Sequence, residues 1–270
     1  MGDTCIQVEY RGQSAVITLN RPDKKNVFDA NMWSGLEQTV QQLKSNLPRA
    51  IIITGAGNAF SAGFDVNPVN SQITIFAEAV KKRSRTAVEE VVRYIRETVD
   101  KLVALPVPII AAINGLAFGG GAELAVRCDL RVMDPGAEIC FSEVRLGLMP
   151  DWGGGVALSR LLGRSRAADL ILTARRVRAD EAISMGLVNR ISKPGKSLDE
   201  SLEIAGGISK NGPLATRAAL EVIRRSPDIP FRDALELETL VASDLIASGE
   251  CLHGITAFLN KKEPDFPDPQ

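Results

Sequence analysis

The chain has 270 residues, 45% of them hydrophobic, a length that fits one large α/β core or such a core with an appendage. Its 32 Lys and Arg against 33 Asp and Glu leave a formal net charge of −1. The chain therefore lacks the excess of positive charge by which proteins attract nucleic acid or an anionic membrane surface. Its four cysteines (Cys5, Cys128, Cys140 and Cys251) are widely spaced and no apolar run approaches the length of a membrane span, so we expect a cytoplasmic protein with reduced thiols.

The first two thirds of the chain alternate strand and helix patterns. Continuous or alternating apolar runs predict strands at 6–10, 15–19, 50–54, 109–113, 130–133 and 138–141. Apolar residues at three- and four-residue steps predict a helix that Asp29 caps and another over 86–104. This order predicts an α/β fold wound around an internal sheet.

The last part of the chain has helical patterns only. Candidate helices cover 198–208, 214–225, 231–248 and 252–260, each with an apolar stripe. We therefore divide the chain into a core at 1–195 and a helical region at 196–270. The stripes need a cover, and the pattern fits a subunit interface as well as packing on the same chain.

Three familiar motifs are incomplete and exclude their functions. Gly55-Ala56-Gly57 lacks the third glycine of a dinucleotide fingerprint, and Gly195-Lys196-Ser197 lacks the first glycine of a phosphate loop. No G-x-S-x-G occurs, and His253 is the sole histidine, so neither a serine hydrolase nor a zinc site is expected.

Two small-residue loops remain as candidate anion sites. Gly119-Gly120-Gly121 opens into an apolar segment, and residues 59–63 follow a buried strand. Backbone N–H groups at the start of a helix have no acceptor within that helix, and glycine lets a ligand oxygen approach them. Two such loops at neighbouring strand ends would each give one N–H to a developing enolate oxygen.

Three acids follow these loops. Glu123 closes the glycine run, Glu143 closes a strand expected at 137–142, and Asp151 comes eight residues later. Paired carboxyls in an apolar pocket share a proton or hold a water. The alternatives are a helix-dipole partner for Glu123, a surface acid for Glu143 and an N-cap of a helix at 153–162 for Asp151.

These residues resemble the signature of the crotonase (enoyl-CoA hydratase/isomerase) superfamily. The similar runs, in family order over nearly the whole chain, are NRP at 20–22, AFSAGFD at 59–65, IIAAING at 109–115, GGGAELA at 119–125, CD at 128–129, GLMP at 147–150, ADEA at 179–182 and GLV at 186–188.

The resemblance implies a spiral of ββα repeats and a helical C-terminal oligomerisation region that forms trimers or dimers of trimers. It implies an acyl-CoA thioester as ligand, with no metal and no cofactor beyond the coenzyme A moiety. By position, the N–H groups of Ala62 and Gly120 would form the oxyanion hole. Glu123 would activate a water and Glu143 would protonate the α-carbon of a 2-enoyl-CoA. The residues bordering coenzyme A would be Lys24, Lys25, Ala59, Ser61, Asp65, Phe258 and Lys261.

One position departs from the hydratase pattern. Hydratases of the family carry a small residue after the proline, whereas Asp151 and Trp152 follow Pro150 here. Acids at all three positions are typical of the dienoyl-CoA isomerases, although those enzymes usually have aspartate where Glu123 stands. The resemblance therefore implies an enoyl-CoA hydratase, with an enoyl- or dienoyl-CoA isomerase as the alternative. A non-catalytic CoA-ester-binding protein is a third reading, disfavoured by the intact glutamate pair.

Overall fold

A computed structural model describes residues 4–269 and builds the core around two sheets. The main sheet has six strands in the order β1-β2-β3-β5-β7-β10, parallel except for the β1–β2 hairpin. They are β1 (Ile6–Arg11), β2 (Ser14–Leu19), β3 (Ala50–Gly55), β5 (Ile109–Ile113), β7 (Leu130–Met133) and β10 (Arg190–Ile191).

Short strands form the second sheet and close each repeat. In the order β4-β6-β8-β9 they are β4 (Ala59–Ser61), β6 (Leu116–Phe118), β8 (Glu138–Cys140) and β9 (Val177–Arg178). Each of β3, β5 and β7 is followed by one strand of this sheet and then by helix. The predicted spiral of ββα repeats is therefore confirmed.

Helices cover both sheets. They are α1 (Ala30–Ser45), α2 (Ser71–Lys82), α3 (Arg85–Val103), α4 (Gly120–Arg127), α5 (Gly154–Leu162), α6 (Arg164–Thr173) and α7 (Ala179–Ser184). Asp29 caps α1 as predicted, because its carboxylate accepts the N–H groups of Asn31 and Met32. Helix α2 was not predicted, although Ile73, Phe76 and Val80 have helical spacing.

The C-terminal region consists of α8 (Ser197–Ser209), α9 (Pro213–Arg225), α10 (Phe231–Ala247) and α11 (Glu250–Leu259). The first of these helices packs across β2, β3, β5 and β7 and covers the face of the main sheet opposite α1. Arg224 of α9 then binds the Asp129 carboxylate through Nε and Nη2, at 2.8 and 2.6 Å. These contacts tie the start of the helical region to the core, and the division at residue 195 stays a prediction.

The buried strands explain why the site forms where it does. Every residue of β3 and β5 is buried, as expected for parallel strands covered on both faces. Their carboxyl ends lead directly into β4 and into the β6–α4 turn, which lie side by side because β4 pairs with β6. The main sheet thereby brings the two small-residue loops together. No helix within residues 4–269 is long and apolar enough to span a bilayer.

Candidate active site

The glycine turn before α4 fits a space that admits no side chains. Gly119 has φ +53°, a left-handed conformation that favours glycine. A Cβ on Gly120 would lie 2.4 Å from the Trp152 indole, and a Cβ on Gly121 would lie 2.2 Å from the Ser61 carbonyl oxygen. The turn therefore lets the first residues of α4 enter between β4 and Trp152, which places Glu123 inside the protein.

Glu123 is buried and held by three backbone donors. Its Oε1 accepts the Asp151 N–H at 3.1 Å, and its Oε2 accepts those of Trp152 at 2.9 Å and Gly154 at 2.8 Å. The residue is 1% exposed. Gly154 must be glycine for this contact, because a Cβ there would lie 2.5 Å from the Glu123 side chain. We call residues 151–154 the donor segment.

Glu143 faces the same space without a partner. It begins a 3-10 helix, Glu143–Leu146, three residues after the end of β8. Both carboxyl oxygens are buried, and neither has a hydrogen-bond partner among the described residues. Oε1 lies 3.8 Å from the position that a Cβ on Gly119 would take, so the carboxyl group sits beside the glycine turn. A buried carboxyl without a protein partner is free to bind a substrate or a water.

Burial changes the protonation of both glutamates. It raises the pKa of Glu123 to about 9, with a contribution from the nearby Glu143 carboxylate, while the N–H groups of Gly154 and Asp151 oppose the rise. Burial is also the main cause of the raised pKa of Glu143. Coupled carboxyls titrate as a pair, so one proton stays on the pair at neutral pH. The three N–H donors stabilise the ionised form of Glu123 and partly offset its burial, whereas no N–H within residues 4–269 donates to the Glu143 carboxyl.

Asp151 lies at the edge of the site. The residue is exposed, and its N–H donates to Glu123. Although the residue as a whole is exposed, its carboxyl is partly desolvated by the surrounding site, which raises its pKa to about 6. Helix α5 begins at Gly154 after Gly153 and has no side-chain cap, so the alternative interpretation of Asp151 as an N-cap is wrong. The structure thus brings all three predicted acids to one place.

The backbone N–H of Ala62, which the family resemblance assigns to the oxyanion hole, already makes a hydrogen bond within the protein. It donates to the Lys25 carbonyl oxygen at 2.9 Å. The next pairing of these segments uses the Gly63 carbonyl, which accepts the Phe28 N–H at 2.7 Å, and the Asp65 N–H, which donates to the Phe28 carbonyl at 2.8 Å. Ala62 therefore cannot give this N–H to a ligand in the described arrangement.

The Phe64 N–H is the better-placed donor. Between the bonded groups of Gly63 and Asp65, the Phe64 N–H points away from Phe28. It makes no hydrogen bond within residues 4–269. A Cβ on Gly63 would lie 2.6 Å from the Gly120 nitrogen, so this loop touches the glycine turn. Gly120 begins α4, and its N–H has no acceptor in that helix.

The residues predicted to border coenzyme A fall into three groups. Lys24 ends the 3-10 helix Pro22–Lys24 and Lys25 follows it, and both lysines are exposed. Ala59, Ser61 and Asp65 are buried: Ser61 donates to the Asn26 carbonyl, and Asp65 pairs with Arg21 at 3.2 Å, so these side chains support the loop.

The third group lies in the C-terminal region. Phe258 is 81% exposed in α11, and Lys261 follows that helix. No hydrogen bond or ion pair within residues 4–269 joins either residue to the Lys24–Lys25 turn. The assignment of both to coenzyme A stays a prediction.

Two features of the site were not found from sequence. The donor segment supports Glu123 through backbone atoms, for which the Gly153-Gly154 pair is the only signal. The direction of the Phe64 N–H depends on the backbone conformation of Gly63, whose φ is +85°. The sequence motif does not reveal that conformation. Within the described residues, no group of three His, Cys, Asp or Glu side chains has the arrangement of a metal site.

Comparisons with known proteins agree with this geometry. The enoyl-CoA hydratase/isomerase family model matches residues 10–269. The short-chain-enoyl-CoA hydratase of Clostridium acetobutylicum is 32% identical, with 96% of this chain and 95% of that protein covered. An enoyl-CoA isomerase/hydratase of Zymoseptoria tritici is 33% identical, with 97% and 86% covered. The crystal structure of an enoyl-CoA hydratase from Bacillus anthracis superposes with a TM-score of 0.86 at 34% identity, covering 97% of this chain and 98% of that one.

Proposed function

Because the chain belongs to the enoyl-CoA hydratase/isomerase family and is an enzyme of that type, we propose that it hydrates a 2-enoyl-CoA to the 3-hydroxyacyl-CoA. One observation carries the proposal. The donor segment gives three N–H groups to the Glu123 carboxyl, while the Glu143 carboxyl has no protein partner in the same buried space. We assign the base to Glu123, whose carboxylate form these N–H groups stabilise, and the acid to Glu143.

The reaction follows from these two states. The Glu123 carboxylate takes a proton from a water, whose oxygen bonds to the β-carbon of the enoyl group. The electron pair of the double bond moves toward the thioester, and its oxygen becomes an enolate oxygen. Glu143 gives its proton to the α-carbon, and the thioester carbonyl reforms. The pair ends with the proton moved from Glu143 to Glu123, so one exchange with water restores the starting state.

The enolate oxygen needs two donors, and we propose the N–H groups of Gly120 and Phe64 in place of Ala62. Support comes from the engaged Ala62 N–H and from the contact between Gly63 and the Gly120 nitrogen. Preorganised N–H groups stabilise the charge where it develops.

Isomerisation is the second candidate, and Asp151 is the observation that favours it. With its pKa raised to about 6, its carboxyl exchanges protons near neutral pH. An isomerase would remove a proton from one carbon and return one to another, with no water added.

Crotonyl-CoA separates the two reactions. We expect the conjugated thioester absorbance to fall when wild-type protein is added, and Asp151→Asn to retain a rate close to wild type because neither proposed step uses Asp151. The matched test gives the same proteins a dienoyl-CoA. Unchanged crotonyl-CoA together with dienoyl isomerisation that Asp151→Asn abolishes would contradict hydration.

We also propose that the C-terminal helices assemble homotrimers that bind the acyl-CoA substrate. Large apolar side chains there remain exposed on the single chain, including Phe231 at 79%, Phe258 at 81% and Leu259 at 73%. In a trimer, Phe258 and Lys261 would reach the coenzyme A of a neighbouring protomer. A molar mass of one chain by light scattering would contradict this assembly.

A further inference from the structure

Arg127 binds the donor segment through the Trp152 carbonyl, whereas Glu123 binds it through the N–H groups. Its Nη1 donates to the Trp152 carbonyl oxygen at 3.1 Å, while Glu123 accepts the Trp152 N–H at 2.9 Å. The two side chains are four residues apart on α4 and therefore lie on the same helix face. Both backbone groups of Trp152 are thus held by one helix.

A second helix holds Arg127 in place. Its Nη2 donates to Asp100 Oδ1 of α3 at 2.6 Å, and Arg96 of the same helix binds the other Asp100 oxygen. The Arg127 side chain is 18% exposed. A guanidinium bound on both sides is more rigid than one that reaches into solvent.

The donor segment is shaped to receive this guanidinium. Gly153 has φ +89°, and a Cβ there would lie 2.0 Å from Arg127 Nη1. The backbone of Gly153 therefore lies directly beneath the guanidinium. Any side chain larger than that of glycine at position 153 would collide with the Arg127 guanidinium.

We propose that Arg127 is a positioning residue that fixes the donor segment against Glu123 by holding the Trp152 carbonyl oxygen. The inference rests on the proposed function, in which Glu123 acts as the ionised base. Arg127 touches neither substrate nor reacting atoms in this account; it acts through the donor segment. Its sequence signal is only a cation in the last turn of α4, which is ordinarily a partner of the helix dipole.

The consequence for Glu123 has a definite sign. The N–H groups of Gly154 and Asp151 lower the pKa of Glu123 against the effect of burial. If the donor segment moves away, that lowering is lost and the pKa rises. The ionised fraction at neutral pH then falls, and the acidic limb of the activity profile moves to higher pH.

Few other charges face Glu123. The strands that pack on α4 carry none, and α5 contributes only Arg160, which pairs with Asp228. The remaining charged groups around the carboxylate are Glu143, Asp151, Arg127 and, behind Arg127, Asp100 and Arg96. A change in Glu123 titration on removing Arg127 therefore has two sources, loss of the donors and loss of one positive charge, and both raise the pKa.

Arg127→Met tests the proposal, with Arg127→Lys to separate the sources because lysine keeps the charge but cannot bridge both partners. We expect Arg127→Met to move the acidic limb of kcat for crotonyl-CoA up by roughly one pH unit, and kcat at neutral pH to fall roughly tenfold with it. KM should change little. Arg127→Lys, which keeps the charge but loses the contact with Trp152, should show most of the same upward shift of the acidic limb. Arg93→Met, which removes a positive charge from α3 that pairs with Glu89 and touches neither Asp100 nor Trp152, is the matched control and should keep the wild-type profile.

A second readout needs no substrate. The chain has two tryptophans, Trp33 and Trp152, whose ring centroids lie 4.6 Å apart. The backbone N–H of Trp152 donates to Glu123. Tryptophan fluorescence therefore reports the titration of the pair, and its midpoint should rise in Arg127→Met. Asp100→Asn weakens the contact that holds Arg127 but keeps the Arg127 side chain, so its midpoint should rise by a smaller amount. This variant replaces Arg127→Met as the test if Arg127→Met folds poorly.

The two proposals fail separately. Fluorescence titrations that do not differ between wild type, Arg127→Met and Asp100→Asn would overturn the role of Arg127, whatever the activity. Wild-type protein that leaves crotonyl-CoA unchanged would overturn the proposed function, and the fluorescence midpoints would still decide the role of Arg127.

Discussion

We expect Glu143→Gln to lower kcat for hydration of crotonyl-CoA by about 10³-fold, the usual size of a lost general acid. Glutamine keeps the shape of the side chain but has no proton of suitable acidity for the α-carbon. Since the Glu143 oxygens have no protein partner, the substitution breaks no hydrogen bond within the described structure. KM should stay near the wild-type value, because the lost interaction belongs to the transition state.

Stability distinguishes this effect from misfolding. The folded pair keeps a proton that the unfolded chain releases above the ordinary pKa of 4.5, so ionisation opposes folding as the pH rises toward about 9. Glu143→Gln removes one member of the pair and should unfold at a urea concentration no lower than wild type.

Glu138→Gln is the matched control for this variant. Glu138 lies in β8 five residues earlier, is only partly buried and pairs with Arg176 at 3.1 Å. Its kcat should equal that of wild type. A Glu143→Gln variant with wild-type kcat would remove Glu143 from the mechanism.

Glu123→Gln should have a comparable effect on kcat, a loss of roughly 10²–10⁴-fold, because the base that activates water is gone. It should also lower the free energy of unfolding by about 1–3 kcal/mol, the cost of a buried donor left without its acceptor. Both Glu123 oxygens accept N–H groups, whereas an amide offers one oxygen and turns its NH₂ toward the remaining donor. Stopped-flow kinetics and urea unfolding measure the two losses.

Glu250→Gln controls for the stability part. Glu250 is another buried carboxylate that accepts backbone N–H groups, those of Leu214 at 2.8 Å and Ala215 at 2.7 Å. We expect a similar loss of stability with kcat unchanged in the folded protein. If Glu123→Gln lowered stability alone, with kcat at the wild-type level, Glu123 would be a support for the donor segment and not the base.

Sequence patterns predicted the parts of the fold that rest on burial. Strands such as β3 and β5 are apolar on both faces, and that pattern needs no tertiary information. The convergence of Glu123, Glu143 and Asp151 was also predictable, because strand order in a wound sheet brings the ends of neighbouring strands together. Helix α2 was missed although Ile73, Phe76 and Val80 have helical spacing; most of its residues are exposed, so burial does not mark it.

Features that depend on backbone direction could not be predicted. Ala62 and Phe64 are two residues apart in one loop, and only the pairing of that loop with Lys25 and Phe28 decides which N–H remains unbound. The three donors to Glu123 come from a segment about thirty residues away, which no local pattern connects to α4. The same is true of Arg127, whose partners lie on α3 and in the donor segment.

The central claim is that water adds to the substrate between Glu123 and Glu143. Incubation of wild-type protein with crotonyl-CoA in ¹⁸O-labelled water, followed by mass spectrometry of the product, tests it most directly. We expect a product heavier than the substrate by one labelled water, with the label on the β-carbon oxygen, and none with Glu143→Gln over the same time. A product of the same mass as the substrate, formed by wild type with its double bond moved, would contradict hydration and assign the site to isomerisation.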